Sequence, residues 1–206
     1  MDTSAAIDLA HERAHAYRFL SRAFIGAPDA ALIDALLDTA AAETTLPDFY
    51  REAKQADRET LRQDVAADYN QLFLGMSAHP VAPYESVYTS EEGLLMQDAR
   101  DEALAAYRTW GLTVPESFGL PEDHVALELE LMALLADRAA SALETGGGEE
   151  AERLAEAQRT FATEHLTWVD ALCDDIQKRA RTAFYYNVAA LTKETLAADR
   201  ELLEEQ

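Results

Sequence analysis

Residues 121–143 read PEDHVALELELMALLADRAASAL and carry the strongest helical pattern in the chain. Pro121 stands at a first helical position, and the acidic residues Glu122 and Asp123 follow in the first turn, as is typical of a helix N-terminus. Apolar residues then recur in two stripes at helical spacing, which predicts a helix buried on most sides at the centre of the fold. The first stripe holds Val125, Leu129, Met132, Ala136, Ala139 and Leu143, and the second holds Leu127, Leu131 and Leu134.

Helical periodicity extends from this segment in both directions, and no stretch shows the alternation and turn signals of a β-strand. Pro47 is expected to open irregular chain. Thr89 and Glu92 resemble a capping box, which predicts a helix that starts there and ends at Trp110. The remaining helices are predicted at about residues 7–24, 29–41 and 58–73, with two or three more between residues 149 and 206.

The length and helical content predict one domain. The chain has 206 residues, of which 49% are hydrophobic, and this suffices to bury a core without disulfides or a structural metal. The prediction is an all-α fold, a single-domain helical bundle that covers residues 1–206. Three consecutive glycines at 146–148 are the clearest break, so a hinge or an exposed turn is expected at residues 145–149.

Cysteine usage and hydropathy predict a cytoplasmic location. Cys173 is the only cysteine, so an intramolecular disulfide and a cysteine-based zinc finger are both excluded. No basic segment followed by an apolar one marks a secretory signal, and no apolar run approaches the length of a membrane span. We therefore expect no stable membrane association.

The formal net charge of −22, from 39 acidic and 17 basic residues, is the strongest compositional signal. Nucleic acid is excluded as a partner, because phosphate binding needs a basic surface. Only three of the basic residues are lysines, and acidic residues are spread along the whole chain. This pattern is typical of a halophilic protein in a salty cytoplasm, and an acidic groove for a basic ligand is the alternative interpretation.

One stretch has the spacing of a metal site. His11-Glu12-Arg13-Ala14-His15 fits the H-E-x-x-H pattern, in which two histidines one helical turn apart hold zinc and the glutamate is the general base. A zinc hydrolase also needs a third ligand and a neighbouring strand, and the sequence predicts no strand. We therefore expect no metal, no catalytic residue and no cofactor, with the zinc hydrolase kept as the alternative of another class.

Residues 75–90 form a segment without helical period and with Pro80 and Pro83. An irregular loop of this length inside a helical domain is uncommon and favours a functional role. The loop contains Pro83-Tyr84-Glu85-Ser86 and is preceded by a Tyr-x-x-Leu-Phe pattern at residues 69–73.

Together these segments resemble the TorD/DmsD family of molybdoenzyme maturation chaperones. The resemblance rests on Tyr69-x-x-Leu72-Phe73-x-Gly75, on the loop up to Tyr88, and on Pro121-Glu122-Asp123-His124 at the expected separation. His165-Leu166-x-Trp168 and Phe184-Tyr185 add to it. The sequence departs from many relatives at Val81-Ala82-Pro83, where those relatives carry consecutive prolines.

The resemblance implies a non-catalytic cytoplasmic protein that acts before twin-arginine (Tat) export. Its partners would be the twin-arginine leader peptide and the catalytic subunit of a molybdopterin oxidoreductase of the dimethyl sulfoxide or trimethylamine N-oxide reductase type, held until cofactor insertion is complete. A nitrate-reductase-type assembly chaperone is the alternative within the family, and monomer and dimer are both compatible with the sequence. The implied peptide-binding residues are Tyr69, Leu72, Phe73, Pro83, Tyr84, Glu85, Ser86, Tyr88, Glu122, Asp123 and His124.

A twin-arginine leader presents two guanidinium groups followed by an apolar segment. Its complement is a groove with carboxylates at one end and aromatic or aliphatic side chains along the rest. Each implied residue also has a structural interpretation: Leu72 and Phe73 would lie in the core, and Asp123 would cap a helix while His124 bonds to the preceding loop. Tyr84 and Glu85, in a proline-bearing loop, favour the functional interpretation.

Overall fold

The structure of this protein is a computed structural model that describes residues 2–114 and 119–204. The described residues form eleven α-helices and contain no β-strand, only an isolated antiparallel bridge between Tyr84 and His124. The predicted all-α fold is therefore confirmed. The helices are α1 (Thr3–Ile25), α2 (Ala30–Leu37), α3 (Ala41–Thr45), α4 (Pro47–Ala53), α5 (Arg58–Phe73), α6 (Glu85–Thr89), α7 (Asp98–Thr109), α8 (Val125–Glu144), α9 (Gly148–His165), α10 (Val169–Arg179) and α11 (Ala183–Glu204).

The chain divides into two compact units of dense internal contact. Unit 1 comprises Met1–Ser21, Tyr84–Val169 and Thr195–Gln206, and unit 2 comprises Arg22–Pro83 and Asp170–Glu194. The single domain over residues 1–206 and the hinge at residues 145–149 stay predictions. In the structure, residues 145–147 connect α8 to α9, and Gly146 has a φ of +78°, which glycine adopts without steric cost.

Helix α8 lies at the core of unit 1 and packs against α9. Val125, Leu129 and Met132 of its first stripe are fully buried. Of the second stripe, Leu131 is buried, whereas Leu127 and Leu134 are half-buried. The same unit joins α1 to α11 through Asp199, whose Oδ2 accepts hydrogen bonds from the Tyr17 hydroxyl at 2.6 Å and from an Arg13 Nη2 at 3.0 Å.

An aromatic cluster and a buried carboxylate organise unit 2. Phe49 and Phe184 pack edge to face with ring centroids 5.1 Å apart. Asp68 of α5 is buried, and its Oδ2 accepts hydrogen bonds from the Thr182 amide, the Thr182 hydroxyl and the Arg181 amide at 2.8, 2.7 and 3.0 Å. These donors lie at the turn before α11, so Asp68 takes the amides that have no partner at the N-terminus of this helix.

The predicted helices of unit 2 are correct in part. Helix α5 spans Arg58–Phe73 as predicted, with its first turn capped by Asp57, whose carboxylate accepts from the Thr60 amide at 3.0 Å. The helix predicted at 29–41 ends at Leu37 and is followed by a separate α3. Pro47 opens α4 rather than irregular chain, because a proline at the first helical position loses no hydrogen bond.

Three further predictions are wrong. The segment at 75–90 is not irregular throughout, because it contains α6. No helix starts from a capping box at Thr89, which is the last residue of α6; α7 begins at Asp98, after Gly93 and Met96 adopt φ of +64° and +63°. Helix α8 begins at Val125 instead of Pro121, because the Asp123 carboxylate is directed at α6.

Candidate peptide-binding site

The loop residues and the Glu-Asp-His residues predicted from the sequence come together in unit 1. Tyr84 pairs with His124 in the isolated bridge, and the Glu85 amide donates to the Asp123 carbonyl at 3.0 Å. The Ser86 amide donates to Asp123 Oδ2 at 2.9 Å, so this carboxylate caps the first turn of α6. The sequence segment with the family's loop motif is therefore fixed at the N-terminus of α8.

His124 caps α8 with its ring. Its Nδ1 accepts a hydrogen bond from the Ala126 amide at 3.1 Å, which requires the neutral ring. Burial lowers the pKa of His124 to about 4, in keeping with that role. The Tyr84 ring stands edge to face against it at 5.1 Å, and burial together with the nearby Asp123 raises the pKa of the Tyr84 phenol.

Three acidic side chains are buried near the contact between the loop and the N-terminus of α8: Glu85, Asp123 and Glu128. They are called the buried acid trio below. Glu85 Oε2 lies 2.9 Å from His165 Nδ1, and the Trp168 indole donates to Glu128 Oε2 at 3.2 Å. Burial raises the pKa of Glu128 well above its ordinary value, and the charge of Glu85 and a hydrogen bond with its carboxyl raise it further. A hydrogen bond between two carboxyls needs one proton, and the raised pKa of Glu128 favours its side chain as the one that carries it.

The remaining predicted residues of unit 1, Glu122 and Tyr88, lie beside the contact between the loop and the N-terminus of α8. Glu122 is held by Arg100, whose Nη2 donates to Glu122 Oε1 at 2.9 Å, and this hydrogen bond lowers the pKa of Glu122. Tyr88 is half-buried and packs on Trp168 with ring centroids 5.2 Å apart. Glu85, Asp123 and Glu122 thus have partners within the chain, and Tyr84 and Tyr88 offer part of their rings to solvent.

An acidic cleft of about 540 Å³ opens beside α6 and was not singled out from the sequence. No lysine or arginine lines it, and its exposed carboxylates form no ion pair among the residues that the structure describes. With 39 acidic residues spread along the chain, no sequence signal separates these carboxylates from the rest. The acidic cleft is lined by Glu91, Glu92, Asp98, Glu102 and Glu164, with the buried Glu85 and four uncharged residues.

The same connection between α6 and α7 exposes three consecutive apolar side chains. Leu94, Leu95 and Met96 are 53%, 45% and 57% exposed. Met96 also has a φ of +63°, a left-handed conformation that costs a non-glycine residue roughly 1–2 kcal/mol. Strain and apolar exposure at one short segment are features of a ligand-binding loop.

The predicted residues of unit 2 form a cluster of their own around α5. Tyr69 and Leu72 are buried, and Phe73 is half-buried and packs against Tyr69 and Tyr185 with centroid distances of 5.1 and 5.6 Å. Pro83, at the end of the unit, is also buried. The side chain of Leu72 therefore lies in the core, as its structural interpretation expects, whereas Phe73 is buried only in part; Tyr69 lies in the core as well.

The H-E-x-x-H stretch lies on α1. His15 and Glu12 are exposed, and the His11 ring lies within 3.7 Å of Asp137 and 3.5 Å of Glu144. Among residues 2–114 and 119–204, no group of three or more His, Cys, Asp and Glu side chains is arranged to hold a metal ion. Within the same residues, no helix combines the length and the apolar character that a membrane span requires.

Comparison with known proteins identifies the family. A family model described as "Nitrate reductase delta subunit" matches residues 30–174. A relative named "Chaperone protein TorD" from Photobacterium profundum is 31% identical over 129 residues, which cover 62% of this chain and 58% of the relative. The protein of the same name from Vibrio cholerae is 29% identical over 150 residues, which cover 72% of this chain and 66% of the relative. The matched part of the chain thus spans about three fifths to two thirds of these relatives.

The chain belongs to the family that this model describes, and within it to the TorD/DmsD chaperones. The resemblance drawn from the Tyr-x-x-Leu-Phe, Pro-Tyr-Glu-Ser and Glu-Asp-His residues is confirmed. The named relatives are chaperones, so the expectation that the chain is not an enzyme is confirmed as well.

Proposed function

We propose that this protein is a cytoplasmic maturation chaperone that binds the twin-arginine leader and the apo form of a molybdopterin oxidoreductase. The client would be of the dimethyl sulfoxide or trimethylamine N-oxide reductase type, held until its cofactor is inserted and then released for export. Membership of the TorD/DmsD family supports this class of function. The chemistry of the unit 1 surface supports the leader as its ligand.

The observation that carries the proposal is the pairing of the acidic cleft with the exposed segment Leu94–Met96. The guanidinium groups of two consecutive arginines form short, bidentate hydrogen bonds with carboxylates, and five exposed carboxylates of the cleft are available to accept them. The apolar part of a leader needs exposed apolar side chains to cover, and Leu94, Leu95 and Met96 provide them on the same connection. An acidic cleft and an exposed apolar segment thus occur on one connection, and a leader presents the complement of both in one short peptide.

The residues implied by the family motif divide into two roles under this proposal. Tyr84 and Tyr88, which are half-buried, contribute ring surface to the peptide. The others fix the surface that the peptide meets: Glu85, Ser86, Asp123 and His124 fix α6, Glu122 fixes Arg100, and Tyr69, Leu72, Phe73 and Pro83 fix the end of α5 and the following loop within unit 2.

The proposal is tested by calorimetry with a synthetic leader of the client enzyme and a second peptide whose two arginines are replaced by glutamine. We expect a Kd in the micromolar range, about −8 kcal/mol, for the native leader and a loss of at least about tenfold for the substituted one. The protein variant Glu91→Gln/Glu92→Gln/Glu102→Gln should lose affinity to a similar degree, because it removes three cleft carboxylates.

A matched control removes the same charge elsewhere in unit 1. Glu130, Glu149 and Glu201 are exposed and form no ion pair among the described residues, and none of them lines the acidic cleft. The variant Glu130→Gln/Glu149→Gln/Glu201→Gln should bind like the wild type. Equal losses in the two triple variants would contradict the cleft, and no binding of either peptide would contradict leader recognition.

A second candidate is an assembly chaperone of the nitrate reductase branch, favoured by the description of the family model that matches residues 30–174. Such a chaperone would grip the N-terminal segment of a nitrate reductase catalytic subunit. Calorimetry with that segment in place of the leader separates the two candidates. Tighter binding of the nitrate reductase segment would favour the second candidate over the first.

A further inference from the structure

Unit 2 carries the densest basic stretch of this strongly acidic chain. Lys178, Arg179 and Arg181 stand within four consecutive positions, and no other stretch of that length contains three of the 17 basic residues. They lie at the C-terminus of α10 and in the turn before α11. Basic residues at a helix C-terminus are ordinary, so the stretch alone indicates no ligand.

The second observation is a cleft that the two arginines help to line. This cleft, called the basic cleft below, has a volume of about 240 Å³ and contains no acidic residue in its lining. It is smaller than the roughly 300–1,000 Å³ pockets that hold drug-sized ligands, so it suits a single small group. Its lining comprises Gln71, Leu72, Ser77, Ala78, His79, Arg179 and Arg181.

The buried carboxylate of Asp68 fixes the backbone that presents Arg181. Asp68 Oδ2 accepts from the Arg181 amide at 3.0 Å and from the Thr182 amide at 2.8 Å, which holds the turn before α11 in place. The Arg181 side chain is exposed, and its guanidinium has no hydrogen-bond or ion-pair partner among the residues that the structure describes. Its five donors are therefore available to a ligand, while the hydrogen bonds to Asp68 hold the backbone behind them.

Arg179 is anchored and keeps some donors free. Its Nη1 donates to the Asp175 carbonyl at 3.0 Å and lies 2.9 Å from Asp175 Oδ1, so only one edge of the guanidinium is engaged. The cleft also contains uncharged donors, from the side chains of Ser77, Gln71 and His79.

We propose that the basic cleft is a binding site for a phosphate-type oxyanion, either free phosphate or the phosphate group of a small molecule. Two guanidinium groups give a tetrahedral dianion bidentate, charge-assisted hydrogen bonds, and the surrounding hydroxyl, amide and imidazole groups satisfy its remaining oxygens. A carboxylate has two oxygens and one charge and leaves part of this donor set unused. The site lies wholly within unit 2 and does not depend on the proposed leader binding.

The test is a titration of inorganic phosphate and pyrophosphate, followed by ³¹P NMR on the full-length protein at low ionic strength, with acetate as the competing carboxylate. We expect a Kd in the millimolar range for phosphate, tighter binding of pyrophosphate, and no displacement by equimolar acetate. Arg181→Gln should weaken phosphate binding at least about tenfold, and Arg179→Gln should weaken it less because Asp175 offsets part of the charge of Arg179.

Lys178→Gln is the matched control. Lys178 is exposed on the same stretch and loses the same charge, but it does not line the basic cleft. Its phosphate affinity should stay within about twofold of the wild type. Equal losses in Lys178→Gln and Arg181→Gln would show nonspecific attraction, and unchanged binding in Arg181→Gln or no binding of either anion would overturn the site. Tighter binding of pyrophosphate than phosphate indicates a phosphorylated small molecule, and equal binding indicates free phosphate.

Discussion

Buried carboxylates occur in both units, and their surroundings differ. In unit 2, one oxygen of Asp68 accepts three hydrogen bonds from the turn before α11. In unit 1, Glu85, Asp123 and Glu128 are buried together, and their partners are one histidine ring, one indole, one amide and each other. Asp68 is thus surrounded by hydrogen-bond donors, whereas the buried acid trio places three acidic groups close together.

The difference distinguishes a carboxylate with a structural role from a cluster of acids at a candidate functional site. A lone buried carboxylate with three donors stabilises a helix terminus and needs no other explanation. In the trio, burial and the charges of Glu85 and Asp123 raise the pKa of Glu128, and groups with shifted pKa values are found preferentially where a protein functions. Glu85 belongs to the trio and also lines the acidic cleft, so the costly arrangement lies directly beneath the proposed leader-binding surface.

The largest expected effect is at Asp68. Asp68→Ala removes three hydrogen bonds and leaves the buried Thr182 amide without a partner, so we expect a loss of about 3 kcal/mol in the free energy of unfolding. Urea denaturation followed by circular dichroism measures it. Asp64→Ala is the matched control, because Asp64 is exposed one turn earlier on α5 and its loss should be within about 0.5 kcal/mol. A similar loss of unfolding free energy in Asp68→Ala and Asp64→Ala would show that the buried hydrogen bonds of Asp68 do not stabilise unit 2 in particular.

A smaller effect of opposite sign is expected at Glu128. Its pKa is raised in the folded state, so the unfolded chain releases the proton first as the pH rises above the ordinary value of 4.5. The contribution of Glu128 to stability is therefore greatest below pH 4.5 and declines as the pH rises toward the folded-state pKa. Glu128→Gln keeps the neutral form at every pH, and it should be more stable than the wild type at pH 8 by on the order of 1 kcal/mol while the two converge near pH 4.5.

Thermal unfolding between pH 4.5 and pH 8 checks this prediction, with Glu130→Gln as its control. Glu130 is exposed two residues further along α8, so that variant should keep the pH dependence of the wild type. A Glu128→Gln variant that is less stable than the wild type at pH 8 would show that Glu128 is ionised in the folded protein. The acid trio would then resemble an ion-pair network with a structural role, as Asp68 has, and the contrast between the two units would be lost.

The smallest effect concerns salt. The net charge of −22 resides mainly on exposed carboxylates, which repel one another over roughly 10 Å at 0.1 M salt and over about 3 Å at 1 M. The melting temperature should therefore rise by a few degrees from dilute buffer to molar KCl, as the halophilic interpretation expects. The rise should be equal in the wild type and Glu128→Gln, because salt screens exposed charges and does not reach the buried trio. A flat or falling melting temperature in differential scanning calorimetry would contradict this interpretation.

The sequence predicted the helices better than their ends. The spacing of Val125, Leu129 and Met132 placed α8 in the core, because a buried stripe depends on local periodicity alone. The starts of α7 and α8 were misplaced because Asp123 caps α6 across 37 positions and Met96 takes a left-handed conformation, and neither is visible in a local pattern.

The candidate site was predictable where a motif marks it and nowhere else. The Pro-Tyr-Glu-Ser loop and Asp123-His124 were recognised as belonging together, and they meet in the structure. The burial of Glu85 against His165 escaped prediction, because 80 positions separate them and Glu85 has the chemistry of a surface residue. The acidic cleft also escaped prediction, because its carboxylates are indistinguishable in sequence from the many other acidic residues of the chain.

The most direct test of leader binding to unit 1 is calorimetry of the client's leader peptide across a KCl series from roughly 0.5 to 2 M, where long-range attraction is screened. Close hydrogen bonds to the two arginines and burial on Leu94–Met96 survive these conditions, so the micromolar Kd should hold or improve as salt rises. Tyr84→Ala should weaken binding in the whole series, because the half-buried ring adds apolar contact that salt does not remove. A Kd that weakens steeply with salt would contradict this account, since it would show that the acidic cleft acts through long-range attraction alone.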